Sequence, residues 1–110
     1  MNDSESSYIS AVRDLYLQLP VTANRFTRSD RLMARNLLER RIPIPLLRDA
    51  FLLGAARRLA RNPKAPPLEP VRSLHYFIPI IEEIQRNPLP PLYVQYLELK
   101  VRQALRTNRT

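Results

Sequence analysis

Eleven prolines and one glycine share the 110 residues, and this ratio constrains the fold more than any other feature of the sequence. β-Hairpins draw on glycine for positive φ and for bulges, and a chain whose only glycine is Gly54 has almost none to spend. Proline has no backbone N–H to donate and holds φ near about −65°, so it starts helices and ends them. The prolines divide the sequence at Pro20, Pro43–Pro45, Pro63–Pro70 and Pro88–Pro91. Between these breaks the apolar residues recur at helical spacing.

Five helical segments follow. In the first, about Ser4 to Leu19, Tyr8, Val12, Leu15 and Leu19 share one side, and Pro20 ends the run. Thr27-Arg28-Ser29-Asp30 has the spacing of a capping box, with Asp in place of the usual Glu. It opens a helix over about 29–40 whose apolar side is Leu32, Met33, Leu37 and Leu38. Ile42-Pro43-Ile44-Pro45 is a rigid turn, and Pro45 suits the first position of a third helix reaching about Arg61. Gly54 inside that helix costs about 1 kcal/mol relative to Ala, which close packing against another helix would explain. Ser73 is an N-cap for a fourth segment ending near Arg86. Pro79 falls inside it, so a turn over 73–78 followed by a helix starting at Pro79 is expected. Pro91 opens a fifth helix to about Arg106, with a stripe of Tyr93, Tyr96, Leu97, Val101, Ala104 and Leu105. The expected fold class is all-α: a compact bundle of four to five helices with short Pro-rich connections. It forms one domain over residues 1–110, with 1–6 and 107–110 frayed.

Several functions are excluded or disfavoured by what the chain lacks. With no Cys, it has no thiol nucleophile, disulfide framework or Cys-ligated zinc. His75 is the only histidine, and Glu82-Glu83 are adjacent, so on a helix they face different ways; no metal or cofactor is expected. One glycine cannot build a phosphate-cradling loop. Ser73-x-His75 has no obvious third member, and an N-cap is the better reading of Ser73. No apolar run approaches the roughly 18 residues of a membrane span. The opening Met1-Asn2-Asp3-Ser4-Glu5 is polar and unlike a signal peptide. A soluble, cytoplasmic, non-enzymatic protein is expected.

Charge points further. Lys+Arg is 18 against 10 for Asp+Glu, a net +8 carried almost wholly by arginine. Residues 25–72 hold twelve bases and four acids, so this segment alone equals the net charge of the whole chain. Arginine presents a planar fork to phosphates and stacks on bases. If the second and third helices form an antiparallel hairpin, the end of one meets the start of the other, gathering Arg28, Arg31, Arg57, Arg58 and Arg61. Arg35, Lys64 and Arg72 extend the candidate nucleic-acid-binding set. A helix-turn-helix role for the 42–45 unit is disfavoured. Its turn lacks glycine, and Arg48 and Asp49 are a thin set for reading bases.

The segment Val71-Arg72-Ser73-Leu74-His75-Tyr76-Phe77-Ile78-Pro79-Ile80-Ile81-Glu82-Glu83 stands out beside Asp30-Arg31, Ala34, Arg41-Ile42-Pro43, Ala50 and Arg57-Arg58. Together they resemble small uncharacterised bacterial helical proteins. They also resemble the C-terminal helical regions of phage and mobile-element replication-initiation proteins of the DnaD-like primosome family. The resemblance covers about residues 28–86. The DNA-binding region of that family carries a Tyr–Ile–Trp signature; this chain has no Trp, and no residue role is carried across. The resemblance implies DNA-linked work with no enzymatic step. The expected function is therefore binding to DNA or RNA phosphates through an arginine patch, as an accessory to replication or to a mobile element. The alternatives are an adaptor docking an acidic protein partner and a self-associating, homo-oligomeric helical module.

Overall fold

A computed structural model describes residues 3–60, 64–66 and 68–108. The proline-delimited segments are the helices: α1 (Asp3–Leu17), α2 (Arg28–Glu39), α3 (Ile44–Leu59), α4 (Ile78–Arg86) and α5 (Pro91–Asn108), with a 3₁₀ turn at Leu74–Phe77. The fold is all-α. Among the described residues the sole β pairing is an isolated parallel bridge between Thr22 and Val71. α1 begins at Asp3 and α5 runs to Asn108; residues 1–2 and 109–110 of the ends expected to fray lie outside the described residues.

Proline chemistry sets the boundaries. Pro45 lies in the first turn of α3 and Pro79 in the first turn of α4, where a missing N–H costs nothing. The break expected at Pro79 is present: residues 74–77 form the 3₁₀ turn and α4 starts at Ile78. α2 ends in a Schellman pattern, with the Arg41 N–H donating to Leu38 O (2.9 Å) and the Ile42 N–H to Leu37 O (3.1 Å). The residue in the left-handed region is Arg41, at φ 59°, where glycine is usual.

α3 is the central element. It packs on α1, α4 and α5 and buries Leu47, Ala50, Phe51, Leu53, Gly54 and Ala55. Phe51, Tyr16 and Phe77 meet around it, with ring centroids 4.9 to 6.3 Å apart. Each such aromatic contributes about 1.5–3 kcal/mol of burial. Gly54 has the close approach expected of it: a Cβ there would lie 2.6 Å from Phe77 Cε1 and 2.9 Å from Ile80 Cδ1.

Three expectations need correction. The α2–α3 hairpin does not form, because each helix packs on α1 rather than on its sequence neighbour. Left-handed Arg41 and extended Pro43 (ψ 145°) turn the chain aside, and the Tyr8 hydroxyl fixes the turn to α1 by donating to Ile42 O at 2.7 Å. The core stripe of α5 is Val94, Leu97 and Val101, while Tyr93 and Tyr96 face outward. Burying a tyrosine requires a partner for its hydroxyl, whereas valine at the next position requires none. Leu32 of α2 is likewise exposed, and Ala34 and Leu37 carry the helix's apolar contact.

Candidate functional site

The capping box at the start of α2 does more than end a helix. Asp30 Oδ2 accepts from the Thr27 N–H at 2.9 Å and from the Thr27 hydroxyl at 3.1 Å, while Thr27 Oγ1 accepts from the Asp30 N–H at 3.2 Å. The second carboxylate oxygen, Oδ1, accepts from the Leu74 N–H at 2.8 Å. Asp30 is fully buried, and the contact ties the start of α2 to the 3₁₀ turn. Beside it, the Ala23 N–H donates to Val71 O (2.9 Å) and the Val71 N–H to Val21 O (2.7 Å). Tyr16 is buried under this junction, and burial, with the Asp30 charge second, pushes its phenol up to about 12.

These backbone ties set the segments that carry four arginines beside one another. Arg28 and Arg31 flank Asp30 in the first turn of α2 and share a helix face. Arg72 follows Val71, and Arg25 follows the paired stretch 21–23. All four are exposed, and among the described residues none has a side-chain hydrogen bond or an ion pair. The only acid within 21–31 and 71–77 is Asp30, which is turned inward.

The remaining candidate residues fall elsewhere. Arg35 pairs with Glu5 of α1 at 3.2 Å and with Glu39 at 3.8 Å. Arg57 makes a two-pronged bond to Glu83 of α4 at 3.0 and 2.6 Å. That hydrogen-bonded pair holds the Glu83 carboxyl below the usual carboxylate range and keeps Arg57 charged. Arg58 donates to Glu69 O and lies over the Tyr76 ring, 5.2 Å from its centroid. Lys64 is exposed and engaged within the chain, and Arg61 lies outside the described residues. Arg25 is absent from the set expected from sequence, because its nearness to Arg72 depends on the 21–23 to 71 pairing, a contact with no local sequence signal.

A second feature was also missed. A groove of about 460 Å³ runs between α3 and α5, lined by Leu53, Ala56, Arg57, Tyr93, Tyr96 and Lys100 among others. Tyr93 and Tyr96 stack at 6.0 Å with 19° between their planes, and Lys100 Nζ lies 5.5 Å from the Tyr96 centroid. The signal was present as Tyr93-x-x-Tyr96-x-x-x-Lys100, but period alone assigned both tyrosines to the core.

Ser73 Oγ lies 3.0 Å from His75 Nδ1 and also accepts the His75 backbone N–H at 3.1 Å. This is a local N-cap of the 3₁₀ turn, with no carboxylate bonded to the imidazole. Among the described residues no three His, Asp or Glu side chains stand together as metal ligands, and no helix is long and apolar enough to cross a membrane. No protein-family model, no curated protein and no solved structure matches the chain.

Proposed function

We propose that this chain is a non-enzymatic nucleic-acid-binding protein that grips the phosphate backbone through Arg25, Arg28, Arg31 and Arg72. The observation that supports this is a set of four exposed guanidinium groups, unpaired among the described residues, on neighbouring segments (21–31 and 71–77) whose one carboxylate, Asp30, is buried. Surface arginines that serve solubility are interspersed with acids, as Arg35, Arg48 and Arg57 are here. An unpaired group of four instead concentrates positive potential, which draws in polyanions and makes their binding depend on salt.

The test is a quadruple change of these arginines to Gln, with duplex DNA binding followed across a salt series. Each phosphate contact contributes about 0.9 to the logarithmic salt slope, so losing four should flatten it by about 3 to 4. Among the described residues none of the four side chains is paired, so the melting transition should be retained. A folded variant that binds as tightly as the parent at the same salt would refute the assignment. A parent that ignores nucleic acid at low salt but binds an acidic protein would replace it with the adaptor reading.

A further inference from the structure

The tyrosines outside the core form a track that begins where the arginine cluster ends. Tyr8 and Tyr16 hold the fold together through their hydroxyl contacts to Ile42 O and Val71 O. The other three, Tyr76, Tyr93 and Tyr96, are 41, 42 and 51% exposed. Tyr76 is two residues beyond Leu74, the residue bonded to Asp30, so the 3₁₀ turn joins the start of α2 to the first ring. Arg58 lies over that ring, and Arg57 and Tyr93 line the same α3–α5 groove. Tyr96 and Lys100 continue the line along the α3–α5 groove. Two of the rings therefore carry a cation, Arg58 with Tyr76 and Lys100 with Tyr96, and Tyr93 stacks between them on Tyr96, with Arg57 beside it held by Glu83.

Resting on the nucleic-acid reading above, we infer that this track is a platform for unpaired bases, so that the protein binds single strands in preference to duplex. An exposed ring beside a cation offers a π-face to any base and a charge to the adjoining phosphate, and duplex DNA keeps its base faces stacked away from both. Charge selects this occupant over a second copy of the chain. Two molecules of +8 repel each other, while a polyanion is attracted. The apolar area around the rings, Leu92 and Leu99 on α5, suits the flat faces of bases as well as it suits a protein.

The experiment compares an oligothymidylate with a hairpin duplex of equal length, using fluorescence anisotropy on the parent, Tyr93→Ala/Tyr96→Ala, and Tyr93→Phe/Tyr96→Phe. The alanine pair should lose about fivefold or more in single-strand affinity for each stacked base, with duplex affinity and both salt slopes unchanged. The phenylalanine pair should retain single-strand affinity. The chain has no Trp, so stacking should also quench its tyrosine emission directly, and the alanine pair should lose most of that quench. Equal single-strand binding by parent and alanine pair would overturn the platform while leaving the arginine reading intact. So would a parent with no preference for the single strand. A parent that binds neither probe at low salt would overturn both readings, and a concentration-dependent dimer abolished by the alanine pair would assign the track to self-association. Thermal melts of the variants guard against misfolding; both rings are exposed, so the melting transition should be retained.

Discussion

Replacing Asp30 tests how the candidate surface is built. Its carboxylate accepts three hydrogen bonds, two from Thr27 and one from the Leu74 N–H, in a site closed to solvent. In Asp30→Ala the lost cap costs about 1 kcal/mol. The Leu74 N–H is then buried without an acceptor, at about 1–3 kcal/mol more. Relief of the buried charge offsets part of this, and a net loss of about 3 kcal/mol is expected. Asp30→Asn keeps one oxygen for Leu74 but turns an NH₂ toward the Thr27 N–H, so about 1–2 kcal/mol should be lost. Urea titration followed by far-ultraviolet circular dichroism would rank the parent above Asn and Asn above Ala. Tyr16 supplies an independent check. Burial is the larger cause of its raised phenol and the Asp30 charge the smaller, so Asp30→Asn should lower its titration point yet leave it above the ordinary value. An alanine variant within about 1 kcal/mol of the parent would refute the idea that this carboxylate holds α2 to the 3₁₀ turn.

Gly54→Ala should destabilise by about 1–2 kcal/mol despite the better helix propensity of alanine, because its methyl would meet the buried Phe77 ring at 2.6 Å. A gain in denaturant midpoint would show that the ring yields freely. At high pH the buried phenols of Tyr8 and Tyr16, both pushed up to about 12, should limit stability. Their folded values lie above the unfolded one, so their contribution is full below about pH 10 and declines as the pH rises toward and through 12. Denaturation midpoints at stepped alkaline pH would check this, and a midpoint constant to pH 12 would contradict it.

Most of the fold was legible because proline acts locally. Pro45, Pro79 and Pro91 all fall in first turns, and each position follows from a missing N–H and a fixed φ without reference to the rest of the chain. The capping box at Thr27 and Asp30 was legible for the same reason. The second bond of Asp30, to Leu74 across 44 residues, was not, since nothing near either residue announces the other. The hairpin failed on one dihedral. A left-handed residue after α2 is usually signalled by glycine, and here an arginine occupies that place. With the hairpin went the expected grouping of Arg28 and Arg31 with Arg57, whose partner proved to be Glu83 on α4. Tyr93 and Tyr96 mark the limit of periodicity: Tyr93–Leu97–Val101 and Val94–Leu97–Val101 both fit one helical stripe, and only packing against α3 selects between them.

Net charge alone would not have located the candidate surface; the fate of each acid does. Residues 25–72 contain four acids, Asp30, Glu39, Asp49 and Glu69. Glu39 lies on Arg35 and Asp49 on Arg48, so each cancels a neighbour on its own helix. Glu69 meets Arg58 through its backbone carbonyl. Asp30 is drawn inward by Thr27 and Leu74, which removes from the surface the one carboxylate in the first turn of α2, between Arg28 and Arg31. The contact that closes the fold at this end therefore leaves the arginines around it without a partner. In Asp30→Asn the oxygen needed by Leu74 remains, so the surface should keep its shape and lose one negative charge. Its affinity for a polyanion should then rise, most visibly at low salt where the field is least screened. A fall in affinity by a folded Asp30→Asn variant would mean that the arginines depend on the carboxylate for their placement and not merely on its absence from the surface.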